Sequence, residues 1–175
     1  LDEGMVTDAL RSFLRRGGAE PVAHAENRRI PTDRRDPALR RAGREVIAAL
    51  WHAPELLSEI LSSIPLEHFP DDAIGEILGA MAQQLSSGGA LDADFIAAQT
   101  TAGAELSRAL VEEGHTADSY REALGRLRRA YLTTELARHT RRAEELIQEG
   151  KAGYVDELNE VKRIQDEIAR ENLHK

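Results

Sequence analysis

From Asp118 to Glu149 the chain holds almost nothing that would break a helix. No proline falls there, and Gly125 alone weakens the stretch, by about 1 kcal/mol relative to alanine. Gly150-Lys151-Ala152-Gly153 then reads as a turn, and Tyr154 to about Asn172 as a second helix. Two consecutive helices joined by a short turn fold back as an antiparallel hairpin. At 1.5 Å per residue the first arm spans about 48 Å and the second about 30 Å. Only residues from about 130 onward therefore face a partner arm. Residues 118–128, with Tyr120, Leu124 and Leu127, need cover from elsewhere in the chain, so the long helix is expected to act as a stem.

The interior of this hairpin is thin. One arm offers Leu132, Leu136, Ala143, Leu146 and Ile147, and the other Tyr154, Leu158, Val161, Ile164 and Ile168. The second set is spaced close to a coiled-coil seam. Pairs such as Arg141–Glu145, Lys162–Asp166 and Arg163–Glu167 are expected on the outer faces, each worth about 0.2–0.5 kcal/mol. Two helices alone rarely bury enough apolar surface to be firmly stable. A hairpin of this kind often offers its remaining apolar surface to another protein.

The preceding residues read as short helices. Asp36-Pro37 is a helix start, and Leu39, Ala42, Val46, Ile47, Leu50 and Trp51 form one apolar face behind it. Pro54 opens a second helix with Leu56, Leu57, Ile60, Leu61 and Ile64 inward, and Pro65 stops it. Leu66 and Phe69 are expected to plug the core. Asp71 or Asp72 begins a third helix through Ile74, Ile77, Leu78, Met81 and Leu85, closed by Ser86-Ser87-Gly88-Gly89. Asp92 caps a fourth bearing Phe95 and Ile96, and a fifth runs through Leu106, Leu110 and Val111 to near Gly114. Ahead of them, residues 1–16 carry a helical stripe and residues 17–36, with Pro21 and Pro31, read as a linker. The fold class is all-α: a compact bundle of about five short helices over 37–128, joined by the stem to a hairpin over 129–175.

Composition narrows the chemistry. The 175 residues include no Cys, which excludes disulfides, thiolate metal sites and a cysteine nucleophile. No apolar run approaches the ~20 residues of a membrane span, and no signal peptide is visible, so a cytoplasmic, membrane-free protein is expected. Leu1 rather than Met at the start leads us to expect a piece of a longer chain. The net charge of −8 is uneven: residues 45–117 hold 12 acidic residues against Arg108 alone, whereas residues 118–175 balance. An acidic span of that strength repels phosphate and makes a poor nucleic-acid surface.

Each catalytic signal is weak. There is no HExxH and no phosphate-cradling glycine loop. Glu135 and His139 are one turn apart and could share a metal, but an ordinary surface pair explains them. Asp71-Asp72 and Asp92-Ala93-Asp94 sit where helices start, so capping accounts for them. Arg126, Arg128, Arg129, Arg138, Arg141 and Arg142 form a basic stretch on the stem. Only Tyr131 is interleaved with it, which argues against a base-stacking surface. The residues alone thus describe a non-catalytic helical interaction module with no cofactor.

The stretch Arg44-Glu45-Val-Ile-Ala-Ala-Leu-Trp-His-Ala-Pro-Glu-Leu-Leu57, followed by Leu66-Glu67-His68-Phe69-Pro70-Asp71 and Leu85-Ser-Ser-Gly-Gly-Ala-Leu91-Asp92, resembles the C-terminal helicase-binding domain of bacterial DNA primase. The unequal terminal hairpin fits that family, and Leu1-Asp-Glu-Gly-Met-Val-Thr-Asp-Ala-Leu10 looks like the last helix of the primase catalytic core. The N-terminal domain of the replicative helicase is a similar bundle and stands as the alternative, with an unrelated helical adaptor as a third reading. The primase resemblance implies a docking role. The hairpin would bind the N-terminal domains of the hexameric replicative helicase, and the bundle would modulate helicase activity. The fragment would be a monomer without a catalytic site, while the parent enzyme, which makes RNA primers, would use zinc and magnesium. Under that reading Leu146, Ile147, Tyr154, Leu158 and Val161 are the expected apolar contacts, with Arg142 and Lys151 supplying charge and Tyr154 facing outward.

Overall fold

The computed structural model describes residues 36–111 and 117–173. Among these residues every regular element is helical and there is no strand. The helices are α1 (Pro37–His52), α2 (Leu57–Ser63), α3 (Asp72–Ser86), α4 (Ala93–Gln99), α5 (Gly103–Val111), α6 (Ala117–Gln148) and α7 (Tyr154–Leu173), with 3₁₀ turns at Pro54–Leu56 and Leu66–His68. The expected helix over 1–16, the linker over 17–36 apart from Asp36, and the expected end of α5 near Gly114 lie outside the described residues.

Three aspartates start three helices. Asp36 accepts from the Ala38 N–H at 2.8 Å, with Pro37 in the first turn. Asp71 accepts from the Ile74 N–H at 3.2 Å, which makes Asp71 rather than Asp72 the cap of α3. Asp92 accepts from the N–H groups of Asp94 and Phe95 at 2.9 and 3.2 Å. Each carboxylate satisfies amide donors that have no partner inside the helix, worth about 1 kcal/mol. Gly150 and Gly153 carry the turn between α6 and α7 at φ +64° and +107°, a region that side chains with a Cβ rarely enter.

α1 is the spine of the core. Its Ala42, Val46, Ile47 and Leu50 are buried, and it packs against α3, α5 and α6. Gly43 lets α1 approach α3 closely: a Cβ there would lie 2.5 Å from Ile74 Cγ1. Ile60, Ile64, Ile74, Ile77, Leu78, Met81, Ile96 and Leu106 complete an aliphatic interior, with Phe69 buried among them. Tyr120, Ala123, Leu124 and Leu127 from the first third of α6 belong to that same core, and Tyr131 packs at its edge. Besides α7, α6 packs on α1 and α2. α6 runs unbroken through Gly125.

Ion pairs fix how the helices meet. Arg40 Nε reaches Asp71 Oδ2 at 2.9 Å, tying α1 to the start of α3. Arg44 reaches Glu105 at 3.1 Å, tying α1 to α5, and Arg108 closes on the same carboxylate at 2.8 Å. Between α6 and α7, Arg128 meets Glu167 and Glu171 at 2.5 and 2.9 Å, and His139 meets Glu157 at 2.5 Å. Partner numbers fall along α7 as they rise along α6, so the two helices run in opposite directions.

Candidate docking surface

Beyond Tyr131 the polypeptide continues as α6 and α7 packed on each other. Leu132, Ala143, Leu146, Val161 and Ile164 are the buried apolar residues of this pair. Five positions from the α7 seam and its facing arm were expected to meet a partner, and the structure divides them. Leu146 and Val161 are 8% and 1% exposed, so their surface is spent inside the pair. Ile147, Tyr154 and Leu158 are half-buried and keep apolar surface available near the turn. Tyr154 is thus neither fully inward nor fully outward.

Val155 is 52% exposed and lies beside Tyr154 at the start of α7. The seam count passes over it because it is off the 154, 158, 161, 164, 168 spacing. An apolar residue off the seam and next to a polar run was the signal available in the sequence. Ile147, Tyr154, Val155 and Leu158 thus each keep apolar surface on the helix turns that flank residues 149–153. Among the described residues the other large exposed apolar side chains, Phe95 and Val111, lie on α4 and α5.

The charges at this end are already engaged on the surface. Lys151 Nζ sits 2.8 Å from Glu149, and Arg142 sits 3.4 Å from Glu145. Glu145 thus pairs with Arg142, not with the expected Arg141. The expected Arg163–Glu167 pair forms at 3.2 Å. Exposed pairs of this type are worth about 0–1 kcal/mol, so a partner carrying carboxylates displaces them at small cost.

The basic stretch of α6 is largely neutralised by its own neighbours. Arg126 pairs with Glu122, Arg128 with Glu167 and Glu171, Arg138 with Glu135 and Arg142 with Glu145. Those pairs weaken the field that would attract a phosphate backbone.

The Glu135–His139 pair, weighed as a metal site, is engaged otherwise. Arg138 donates to both oxygens of Glu135, from Nε at 3.1 Å and from Nη2 at 2.6 Å. This fork holds the Glu135 carboxyl below its usual range, against the opposing effect of burial. A guanidinium thus stands where a metal would need to be. The chain has no Cys, and among the described residues no group of three His, Asp or Glu is arranged to hold an ion. Asp71 and Asp92 are occupied as helix caps.

Comparison with protein families, curated proteins and solved structures gives no match to this chain. No helix among the described residues is long and apolar enough to cross a membrane.

Proposed function

We propose that this chain is a protein-docking module, the helicase-binding region of a bacterial DNA primase. In this reading residues 37–128 form the bundle and residues 129–175 the docking hairpin. The partner is the hexameric replicative helicase, engaged through its N-terminal domains. Docking there raises the local concentration of the priming enzyme beside its template. Polymerisation, zinc and magnesium belong to the parent enzyme's other domains.

One observation carries the docking role: at the turn end of a helix pair with a thin interior, Val155 is half-exposed and Ile147, Tyr154 and Leu158 are each only partly buried. An aromatic beside aliphatic residues, with displaceable charges at the rim, matches the composition of interface centres. The internal pairing of the α6 arginines and the acidity of residues 45–117 favour a protein partner over nucleic acid.

The test is a Tyr154→Ala/Val155→Ala double variant titrated against a fluorescently labelled cognate helicase hexamer. Affinity is expected to fall about tenfold or more, as two contacts each worth above about 1 kcal/mol imply. Far-ultraviolet circular dichroism should be unchanged, since neither side chain belongs to the core. Equal affinity of variant and parent would remove the hairpin as the docking element.

A further inference from the structure

Where α6 leaves the core, a set of charged side chains from three elements converges on one carboxylate. Glu135, 7% exposed, is the hub. Arg138 grips it from the same helix through two hydrogen bonds. His68, from the 3₁₀ turn Leu66–His68, brings Nδ1 to 3.8 Å from Glu135 Oε1. His139 places Nε2 3.7 Å from the other oxygen, Oε2. From α7, Glu157 Oε2 meets His139 Nδ1 at 2.5 Å. The groups facing His139 are therefore Glu135 and Arg138 from α6 and Glu157 from α7, with His68 reaching it through Glu135.

One further distance bears on the protonation of His139. Arg138 Nη2 lies 2.9 Å from His139 Nε2. A guanidinium has only donors, and it does not deprotonate in proteins. His139 Nε2 can accept from it only in the Nδ1–H tautomer, in which the ring donates to Glu157.

We propose that His139 is a proton-operated selector that decides which cation holds Glu135. In its neutral form it accepts from Arg138 and steadies the guanidinium on the carboxylate. A proton added at Nε2 turns that acceptor into a donor pointing at another donor. The nearest acceptor for the new N–H is Glu135 Oε2. The imidazolium then spans Glu135 and Glu157, one carboxylate from each helix. Arg138, whose side chain is already 58% exposed, is released to the outer face of α6. Acidification thus exchanges a buried-edge cation for a free surface one without loosening the α6–α7 contact. The device does not depend on what the hairpin docks to.

The test is a pH titration of the 15N-labelled chain by NMR, following the His139 ring nitrogens and the Arg138 Nε–H. At high pH the His139 shifts should report the Nδ1–H tautomer, with a protected Arg138 Nε–H signal. That signal should be lost to solvent exchange with the same midpoint as His139 protonation. A His68→Gln variant should behave the same way, because His68 faces Glu135 Oε1 and the Tyr131 ring, not His139. An Nε2–H tautomer at high pH would overturn the proposal. So would an Arg138 signal that persists through His139 protonation, or a release that vanishes in His68→Gln.

Discussion

Gly43 and Gly125 are both interior helix glycines, yet replacing them with alanine should have different effects. Alanine in place of glycine stabilises a helix interior by about 0.8–1.0 kcal/mol. At Gly125 nothing lies within 4 Å of the new Cβ, so that gain should appear nearly in full. At Gly43 the Cβ would meet Ile74 Cγ1, Cγ2 and Cδ1 at 2.5, 2.8 and 3.0 Å. Ile74 is fully buried on α3, and a β-branched side chain in a helix has one strongly preferred χ1. Relief must then come from moving α1 away from α3, an overpacking cost of about 1–3 kcal/mol. Gly43→Ala should be near neutral to about 2 kcal/mol less stable than the parent, and about 1–3 kcal/mol less stable than Gly125→Ala. Urea unfolding followed by circular dichroism measures this as a difference in midpoint at equal slope. If Gly43→Ala is as stable as Gly125→Ala, the close approach of α1 to α3 is wrong.

Three further outcomes are expected. Asp71→Ala removes the cap of α3 and the partner of Arg40, and should cost about 2–3 kcal/mol in urea unfolding. Burial, with the nearby Glu59 charge adding to it, pushes the Tyr120 phenol up to about 12 from its usual 10. The fold thus favours the neutral phenol, and its contribution is fully present below pH 10 and lost as pH rises towards 12. Stability should fall by up to about 2–3 kcal/mol more in the parent than in Tyr120→Phe across that window, and parallel pH profiles would refute it. The arginines of α6 should confer little affinity for single-stranded DNA, with at most a shallow salt dependence in fluorescence anisotropy; tight, steeply salt-dependent binding would contradict the internal pairing described above.

Local physics was readable from the residues. Asp36, Asp71 and Asp92 begin helices because a carboxylate before an apolar face satisfies open amide donors, and Pro54 and Pro65 interrupt helices because they cannot continue one. The need for the core to cover Tyr120, Leu124 and Leu127 followed from arm lengths alone. What escaped depends on tertiary placement. Arg44 and Glu105 are 61 residues apart, and His139 and Glu157 meet only because α7 doubles back. The α6 arginines look like a basic stripe in sequence, whereas Glu167 and Glu171 arrive from the other arm to neutralise Arg128. Val155 was missed because the seam count assigns it to the solvated side, where its exposure gives it a different use.

The docking reading is tested most directly by size-exclusion chromatography with light scattering of this chain mixed with a cognate replicative helicase hexamer. The expected result is co-elution at a mass set by a definite number of chains per ring, lost in the Tyr154→Ala/Val155→Ala variant. Elution of the chain as a separate monomer beside an intact hexamer would contradict it. So would self-association of the chain alone, the behaviour expected of a helicase N-terminal domain.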